Sequence, residues 1–289
     1  MIPTYNAPID KKDIWNPLFY KDFLGYESIA TWWNQYEHQF QERWPVVDDY
    51  NAWFQQAAQL NTLPTDAHFS FILQTEQSCY EQDIFKYRTI PSRMQNWHDF
   101  FNNITWILYP KTKWAIIQRT HQESTNKKPG VVRTMRQNLL AHFDECGMIL
   151  CSHNPALFED VKAHAWKKFF FETTGLIKQA WPLIFGHGLF EKAQKPYIGM
   201  TGKTIFLKVE KEFFDWSMNE RLQFIDTHIA QWILSDDFPN EPKALYPFPM
   251  LGWPKWHLQN DQMGFYENEH YFRPLSTNSA SVEKTGLLK

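Results

Sequence analysis

The clearest pattern of hydrophobic and polar positions lies in residues 97–109. At ~100° per residue, its large apolar side chains fall on one stripe; they are Trp97, Phe100, Phe101, Ile104, Ile107 and Leu108. The pattern predicts a helix there and, after Pro110, a second helix over 111–122. Similar spacing predicts helices within the first 65 residues, at 131–141, at 156–164 with a continuation over 164–173, and from Ser217 to about Leu234.

Short apolar runs predict a few β-strands, at FSFIL (69–73), IFKYR (84–88) and IFLKV (205–209). In FDECGMILC, residues 144–147 fit a tight turn between two short strands, which would form a hairpin. The expected fold class is therefore α+β: a mostly helical single domain with a few short antiparallel strands and hairpins.

The stretch YPFPMLGWPKW (246–256) contains too many prolines for either periodicity. It predicts an irregular C-terminal strap, rich in proline and aromatic residues, that covers the core over residues 246–274. Its expected anchors are Trp253, Trp256, Phe265 and Tyr266. The predicted organisation is an N-terminal helical segment packed on the core (1–66), a core domain (67–274) that contains a loop at 124–130, and a flexible tail (275–289).

Composition narrows the class of protein. The 289 residues include 24 Phe, 14 Trp and 12 Tyr, which is enough to build a large aromatic core. The net charge of −3 argues against nucleic acid as the main partner. No apolar run has the length of a membrane span, and the start of the chain does not resemble a signal peptide. With three sparse cysteines, these features favour a cytoplasmic protein without a membrane partner.

His98 and Asp99 stand at the predicted start of the 97–109 helix. Asn96 is a good N-cap, and Asp99 at the third helical position fits a capping box, so a structural role explains Asp99. His98 falls outside the apolar stripe, and a cap does not require it. The helix dipole disfavours a charged imidazole at this position, so His98 should stay neutral, as a metal ligand or a general base must.

A second candidate, His187, precedes Glu191 by four residues, which places both side chains on one face of a helix. The pair suits a shared metal ion, and it equally suits an ordinary hydrogen bond that orients a core histidine. Gly186 and Gly188 flank this histidine and allow a close approach of the backbone.

Other motifs are weaker. The spacing of His142, Cys146, Cys151 and His153 does not match a usual zinc knuckle. Nucleotide-binding glycine motifs are absent, so no nucleotide cofactor is expected. Residues 110–136 carry one acid, Glu123, and seven cations, which form either an anion-binding surface or a solvated face: Lys111, Lys113, Arg119, Lys127, Lys128, Arg133 and Arg136.

Four separated blocks resemble a bacterial family catalogued as Domain of Unknown Function 3025, over roughly residues 67–274. The first two blocks contain Asn96, His98, Asp99, Phe101, Asn102, Trp106, Pro110 and Lys113, then Arg133, Arg136, Phe143, Asp144, Glu145 and Gly147. The other two contain Gly186, His187, Glu191, Lys192 and Pro196, then LGWPKW with Asn260, Phe265, Tyr266 and Phe272-Arg273-Pro274.

The resemblance implies no activity, but it singles out six polar residues that match the family pattern: His98, Asp99, Asp144, Glu145, His187 and Glu191. The chain departs from the pattern at Cys146, where the family commonly has Asn, and this weakens the zinc interpretation of the cysteines. It also has Thr201-Gly202-Lys203 where the family has Thr-Ala-His, so a third histidine ligand is absent there.

Three functions remain open. His98, His187 and Glu191 would bind one Zn²⁺ or Fe²⁺, with Asp99, Asp144 and Glu145 as catalytic carboxylates and Asn102, Arg133 and Arg136 holding a small anionic substrate. Zinc predicts a hydrolase. Iron predicts an oxygenase, and an RNA-modifying activity belongs to the same group of alternatives. The non-catalytic alternative is a binding module in which these groups form a buried structural network. Every metal-site version requires that His98 and His187 lie together.

Overall fold

A computed structural model describes residues 13–60, 68–125, 130, 132–172, 177–275 and 287–288. Its α-helices are α1 (Glu27–Trp33), α2 (Val47–Leu60), α3 (Tyr80–Tyr87), α4 (Trp97–Leu108), α5 (Pro110–Thr125), α6 (Met135–Cys146), α7 (Pro155–Lys162), α8 (His187–Ala193) and α9 (Met218–Leu234), with a π-helical segment at Lys168–Glu172. Its strands are β1 (Ser70–Leu73), β2 (Thr89–Ser92), β3 (Gly147–Ser152), β4 (Ala180–Ile184), β5 (Thr201–Lys208), β6 (Tyr246–Pro249) and β7 (Leu287–Leu288). The mostly helical α+β class is confirmed.

The strands form two small sheets, and the expectation of antiparallel strands is only partly right. In the larger sheet the order is β4-β3-β5-β6, and β7 pairs with β5. The β3–β4 and β5–β6 pairs are antiparallel, but β3–β5, β5–β7 and β1–β2 are parallel. Helices lie between the partners, as parallel connections require: α3 joins β1 to β2, and α7, β4 and α8 lie between β3 and β5.

The predicted hairpin at residues 144–147 is wrong. Helix α6 continues to Cys146, and β3 begins at the next residue, Gly147. The segment is helical rather than a hairpin because Leu139, Leu140 and Phe143 are all buried in the core on one face of α6. A Cβ at Gly147 would lie 2.2 Å from the carbonyl oxygen of Phe143, so this immediate change from helix to strand needs a glycine.

The predicted strand IFKYR is also wrong, because these residues end helix α3. Asp83 accepts a hydrogen bond from the backbone N–H of Cys79 at 2.8 Å and so stabilises the first turn. Arg88, with φ at 58°, ends the helix in the left-handed conformation, and β2 starts directly after it. The predicted continuation of α7 over 164–173 is broken in the same way at His164, whose φ is 54°.

Helix α4 runs through the aromatic core. All of its residues are buried apart from His98, which is partly exposed. The N-terminal segment packs on this helix: Trp15 stacks on Trp97 at 5.1 Å, and Trp33 meets Phe100 edge-on at 5.6 Å. His98, Asp99 and Asn102 are the residues of α4 that line the cavity described below.

The predicted strap over residues 246–274 covers the core, although its first four residues form strand β6 at the edge of the sheet. Trp256, Phe265 and Tyr266 are buried and Trp253 is half-buried, as expected of anchors. In the predicted flexible tail, Leu287–Leu288 pair with β5, and residues 276–286 and 289 lie outside the described residues. The predicted loop lies partly outside them too, and its described start, Ser124–Thr125, belongs to α5. No described helix has the length and apolar character to cross a bilayer.

Candidate functional site

His98 is held at the start of α4 by the predicted cap. The side-chain oxygen of Asn96 accepts the backbone N–H of Asp99 at 3.0 Å, so the helix begins at Trp97 and His98 is its second residue. The imidazole Nδ1 lies 3.0 Å from Oε2 of Glu191 in helix α8. The side chain of His98 is therefore oriented by a residue 93 positions further along the chain.

His187 is the first residue of α8, and its two glycine neighbours bring it against the α6–β3 junction. A Cβ at Gly186 would lie 2.4 Å from the backbone nitrogen of Gly147. A Cβ at Gly188 would lie 2.0 Å from Oε1 of Glu145. The close backbone approach expected from the sequence therefore exists, and it places Nε2 of His187 3.2 Å from Oε2 of Glu145.

The two histidines meet, as the metal-site hypothesis required. Their ring centroids are 4.6 Å apart and the rings are nearly perpendicular. Together with Glu145, they provide one donor atom each, and these three atoms lie within 4.8 Å of one another. Two ligands on a tetrahedral zinc ion are about 3.3 Å apart when the bonds are ~2.0 Å. The cluster could hold one divalent ion if its most widely separated donor atoms moved closer by up to about 1.5 Å.

Among the described residues this group contains Glu145 and not Glu191, which changes one member of the ligand set expected from the sequence. The carboxylate of Glu191 is bound to Nδ1 of His98, so it lies behind the imidazole rather than beside its second nitrogen. The i, i+4 spacing of His187 and Glu191 had suggested a shared ion. In the fold, the same spacing lets both residues reach His98.

The Nδ1 atom of each of the two histidines lies near a carboxylate. Nδ1 of His98 contacts Glu191, and Nδ1 of His187 is buried without a hydrogen bond, 3.9 Å from Oδ2 of Asp144. Histidines that bind metals usually donate the other ring N–H to a carboxylate, which fixes the tautomer. Both rings can thus present Nε2 to an ion, with Glu191 and Asp144 behind them.

A buried ion pair supports Asp144. The ammonium of Lys113, with its side chain only 2% exposed, lies 2.5 Å from Oδ1 of Asp144 and donates to Oδ1 of Asn102 at 2.9 Å. Burial opposes the charge of Lys113, but the nearby Asp144 outweighs it, and the pKa of Lys113 is raised. The carboxylate of Asp144 is therefore held by Lys113 at 3.9 Å from Nδ1 of His187.

Tyr80 is a site residue that the sequence did not reveal. Because Lys113 has only donors, Asn102 must turn its oxygen towards Lys113 and its NH₂ towards Tyr80, whose hydroxyl oxygen accepts it at 2.8 Å. The indole N–H of Trp106 donates to the same oxygen at 2.9 Å. The O–H of Tyr80 is left to donate elsewhere, and Tyr80 lines the cavity next to the histidines.

Two other predicted residues have different partners. Both oxygens of Asp99 are bound by Arg93, through the guanidinium at 2.7 Å and the backbone N–H at 2.6 Å, so Asp99 is poorly placed to act as a base. Arg136 forms an ion pair with Glu123 at 2.6 Å, donates to the backbone oxygen of Pro239, and does not line the cavity. The expected role of Arg136 in substrate binding is therefore not supported.

The cavity has a volume of about 460 Å³, which lies within the usual range for small-molecule sites. Its walls come from α3, α4, α5, α6 and α8, and they include Asn102 and Arg133, both predicted substrate-binding residues. Arg133 is half exposed, and its contact with Glu81 is long, at 3.6 Å. Its guanidinium is therefore accessible at the rim.

Charges in the cluster stabilise one another. The hydrogen bond from His187, aided by the charges of both histidines, outweighs burial and lowers the pKa of Glu145 to about 2. Burial opposes protonation of His98, but its bond to Glu191 and the charges of Glu145 and Glu191 outweigh that and raise the pKa of His98. Without a metal, Glu191 and Glu145 therefore favour the charged form of His98, which is the opposite of the preference expected from the helix dipole alone.

The four possible ligands between His142 and His153 lie in α6, in β3 and directly after β3. Cys151 is buried in β3, and His142, Cys146 and His153 do not join any group of possible ligands among the described residues.

The chain belongs to the family described as "Protein of unknown function (DUF3025)", whose model matches residues 69–276. The match covers every residue of the histidine–carboxylate cluster. Neither the curated proteins nor the solved structures contain a match.

Proposed function

We propose that the protein is a metal-dependent hydrolase that acts on a small anionic substrate. The observation that supports this most directly is the convergence of His98, His187 and Glu145, whose donor atoms lie within 4.8 Å of one another in the wall of a cavity. Two histidines and one carboxylate with open coordination positions are typical of catalytic zinc sites.

Nε2 of His98, Nε2 of His187 and the carboxylate of Glu145 would be the ligands. Zinc at such a site lowers the pKa of a bound water to ~7 and polarises the substrate. Glu191 and Asp144 would orient the two imidazoles and increase their basicity. Glu145 would be a ligand, and its lowered pKa keeps the carboxylate ionised, as a ligand must be.

The remaining groups would act on the substrate. Tyr80 lines the cavity and its oxygen accepts hydrogen bonds from Asn102 and Trp106, so its O–H would donate to an oxygen that becomes negative during hydrolysis. The bond from Asn102 would hold Tyr80 in place for this role. Arg133, at the rim, would pair with the anionic group of the substrate.

One observation favours the non-catalytic alternative. His98 with Glu191 and His187 with Glu145 already form bonded pairs in the absence of an ion, so the same residues suit a binding module with a polar network. The ligand set also suits Fe²⁺, which would indicate an oxygenase. The presence and identity of the metal distinguish these functions.

Elemental analysis of protein purified without a chelator tests the proposal. We expect close to one equivalent of zinc or iron in the wild-type protein and loss of this metal in His187→Ala. The variant should keep its fold, because the core is large enough to fold without the metal. His142→Ala is the matched control, since His142 lines the same cavity but lies outside the cluster. Absence of metal, with no thermal shift on addition of Zn²⁺, Mn²⁺ or Fe²⁺, would favour the binding module.

A further inference from the structure

We propose that a second cavity, where strands β5 and β6 meet the last residues of the C-terminal strap (270–273), binds a small molecule through a phosphate monoester group. This cavity has a volume of about 380 Å³ and shares no lining residue with the cavity at His98. The proposal is therefore independent of the hydrolase proposal.

The floor of the second cavity is built by strand register. Thr201 pairs with Pro249, and Lys203 pairs with Pro247, across the antiparallel β5–β6 ladder. Successive side chains alternate between faces, so Thr204 is fully buried on the other face while Lys203 is partly exposed in the cavity. The sheet thus places Lys203 opposite Pro247 on the face that lines the cavity.

The opposite wall is held in place by hydrogen bonds. The indole N–H of Trp166 donates to the backbone oxygen of Arg273 at 2.8 Å, and the hydroxyl of Tyr271 donates to the backbone oxygen of Met200 at 2.7 Å. Both rings are buried and anchored at their polar ends. They form a preformed aromatic wall beside the charged floor.

The cavity is lined by positively charged side chains without acidic ones. Lys203 and Arg273 line it, and none of its lining residues is Asp or Glu, although the whole chain has a net charge of −3. Nε of Arg273 donates to the backbone oxygen of His270 at 3.2 Å, and neither cation forms an ion pair with a described carboxylate. The two terminal guanidinium nitrogens and the ammonium therefore remain available to a ligand.

The number and type of donors indicate a phosphate monoester. Two positive charges match the −1.5 to −2 charge of such a group at pH 7 better than they match the single charge of a carboxylate. A guanidinium fork binds two phosphate oxygens in a bidentate manner, and an ammonium adds a point charge. The volume leaves room for an organic group against Trp166 and Tyr271.

Calorimetric titration of the full chain with phenyl phosphate tests this inference. We expect one binding site, weaker at high salt, and at least a tenfold loss of affinity in Lys203→Gln and in Arg273→Gln. Lys208→Gln is the matched control, because Lys208 is exposed at the end of the same strand and does not line the cavity. Thermal unfolding of each variant checks that the fold is retained.

Comparison ligands make the result specific. Inorganic phosphate and benzoate should both bind more weakly than phenyl phosphate, the first because it lacks the ring and the second because it carries a single charge. Equal affinity for either would overturn the assignment of a phosphate monoester. The site itself is refuted by a phenyl phosphate Kd weaker than about 10 mM, or by binding that His187→Ala removes and Lys203→Gln leaves unchanged.

Discussion

Lys113 and Asp144 form an ion pair of 2.5 Å beneath the histidine cluster, and the side chain of Lys113 is only 2% exposed. Breaking a buried pair leaves an uncompensated charge, which is far more costly than the pair itself is stabilising. We therefore expect Lys113→Met to lower the free energy of unfolding by roughly 3–5 kcal/mol, measured by denaturant titration.

The double variant Lys113→Met with Asp144→Leu is the control, since it removes both charges. It should recover part of the stability lost in the single variant. A single variant as stable as the wild-type protein would show that the carboxylate of Asp144 is not left as an uncompensated buried charge when Lys113 is removed.

The two glutamates of the cluster should differ in their effect on metal content. Glu145→Gln should abolish metal binding, because it removes a ligand. Glu191→Gln should retain the site and weaken the metal affinity by about 10–100-fold, as expected when an orienting carboxylate is lost. Metal affinities measured by competition with a chelator check this. The reverse order of effects would return Glu191 to the ligand set and make Glu145 the orienting group.

Tyr80→Phe should reduce the hydrolysis of 4-nitrophenyl esters by the zinc-loaded protein. Loss of one donor to a developing oxyanion typically lowers kcat by about 10²–10³-fold. Metal content should stay unchanged, because Tyr80 is not a ligand. Tyr87→Phe is the control, since Tyr87 lies on the same helix and is 69% exposed. A normal kcat in Tyr80→Phe would show that Tyr80 does not donate to the reacting oxygen.

Asp226 should make stability depend on pH. Burial raises the pKa of its carboxyl from 3.8 to about 6, and this outweighs the hydrogen bonds from the backbone of Thr112 and Lys111. The folded state then binds the proton more tightly than the unfolded state. This contribution to stability is complete below about pH 4 and is lost as the pH rises through about 6.

The expected change is about 2–3 kcal/mol in the free energy of unfolding between pH 4 and pH 7. Asp226→Asn should remove it, while Asp215→Asn, at an exposed position, should leave it in place. Denaturant titrations at several pH values measure the effect. The same slope in Asp226→Asn as in the wild-type protein would exclude Asp226 as its source.

Deletion of the chain from Tyr246 onward should give an insoluble product. The deletion removes β6 from the edge of β5 and uncovers the surface beneath Trp256, Phe265 and Tyr266. Solubility, size-exclusion chromatography and thermal unfolding of the truncated chain measure this. A soluble monomer that unfolds cooperatively would show that the strap is not needed to cover the core.

Local sequence determined the features that depend on neighbouring residues. The apolar stripe of α4, its Asn96 cap and the start of α9 at Ser217 could be predicted, because periodicity and capping involve residues at most four positions apart. The helical continuation of α6 through Glu145 was missed. Its turn-like residues Asp144–Gly147 resembled a hairpin, and the burial of Phe143 outweighed that local preference.

Tertiary structure alone decided which carboxylate joins the two histidines. The sequence placed His187 and Glu191 on one face of a helix, but whether that face meets His98 or Glu145 depends on how α8 packs against α4 and α6. The role of Tyr80 follows from donors and acceptors that Lys113, Asn102 and Trp106 bring together from α5 and α4. Such matching depends on distances between separate helices, and a one-dimensional pattern contains no information about them.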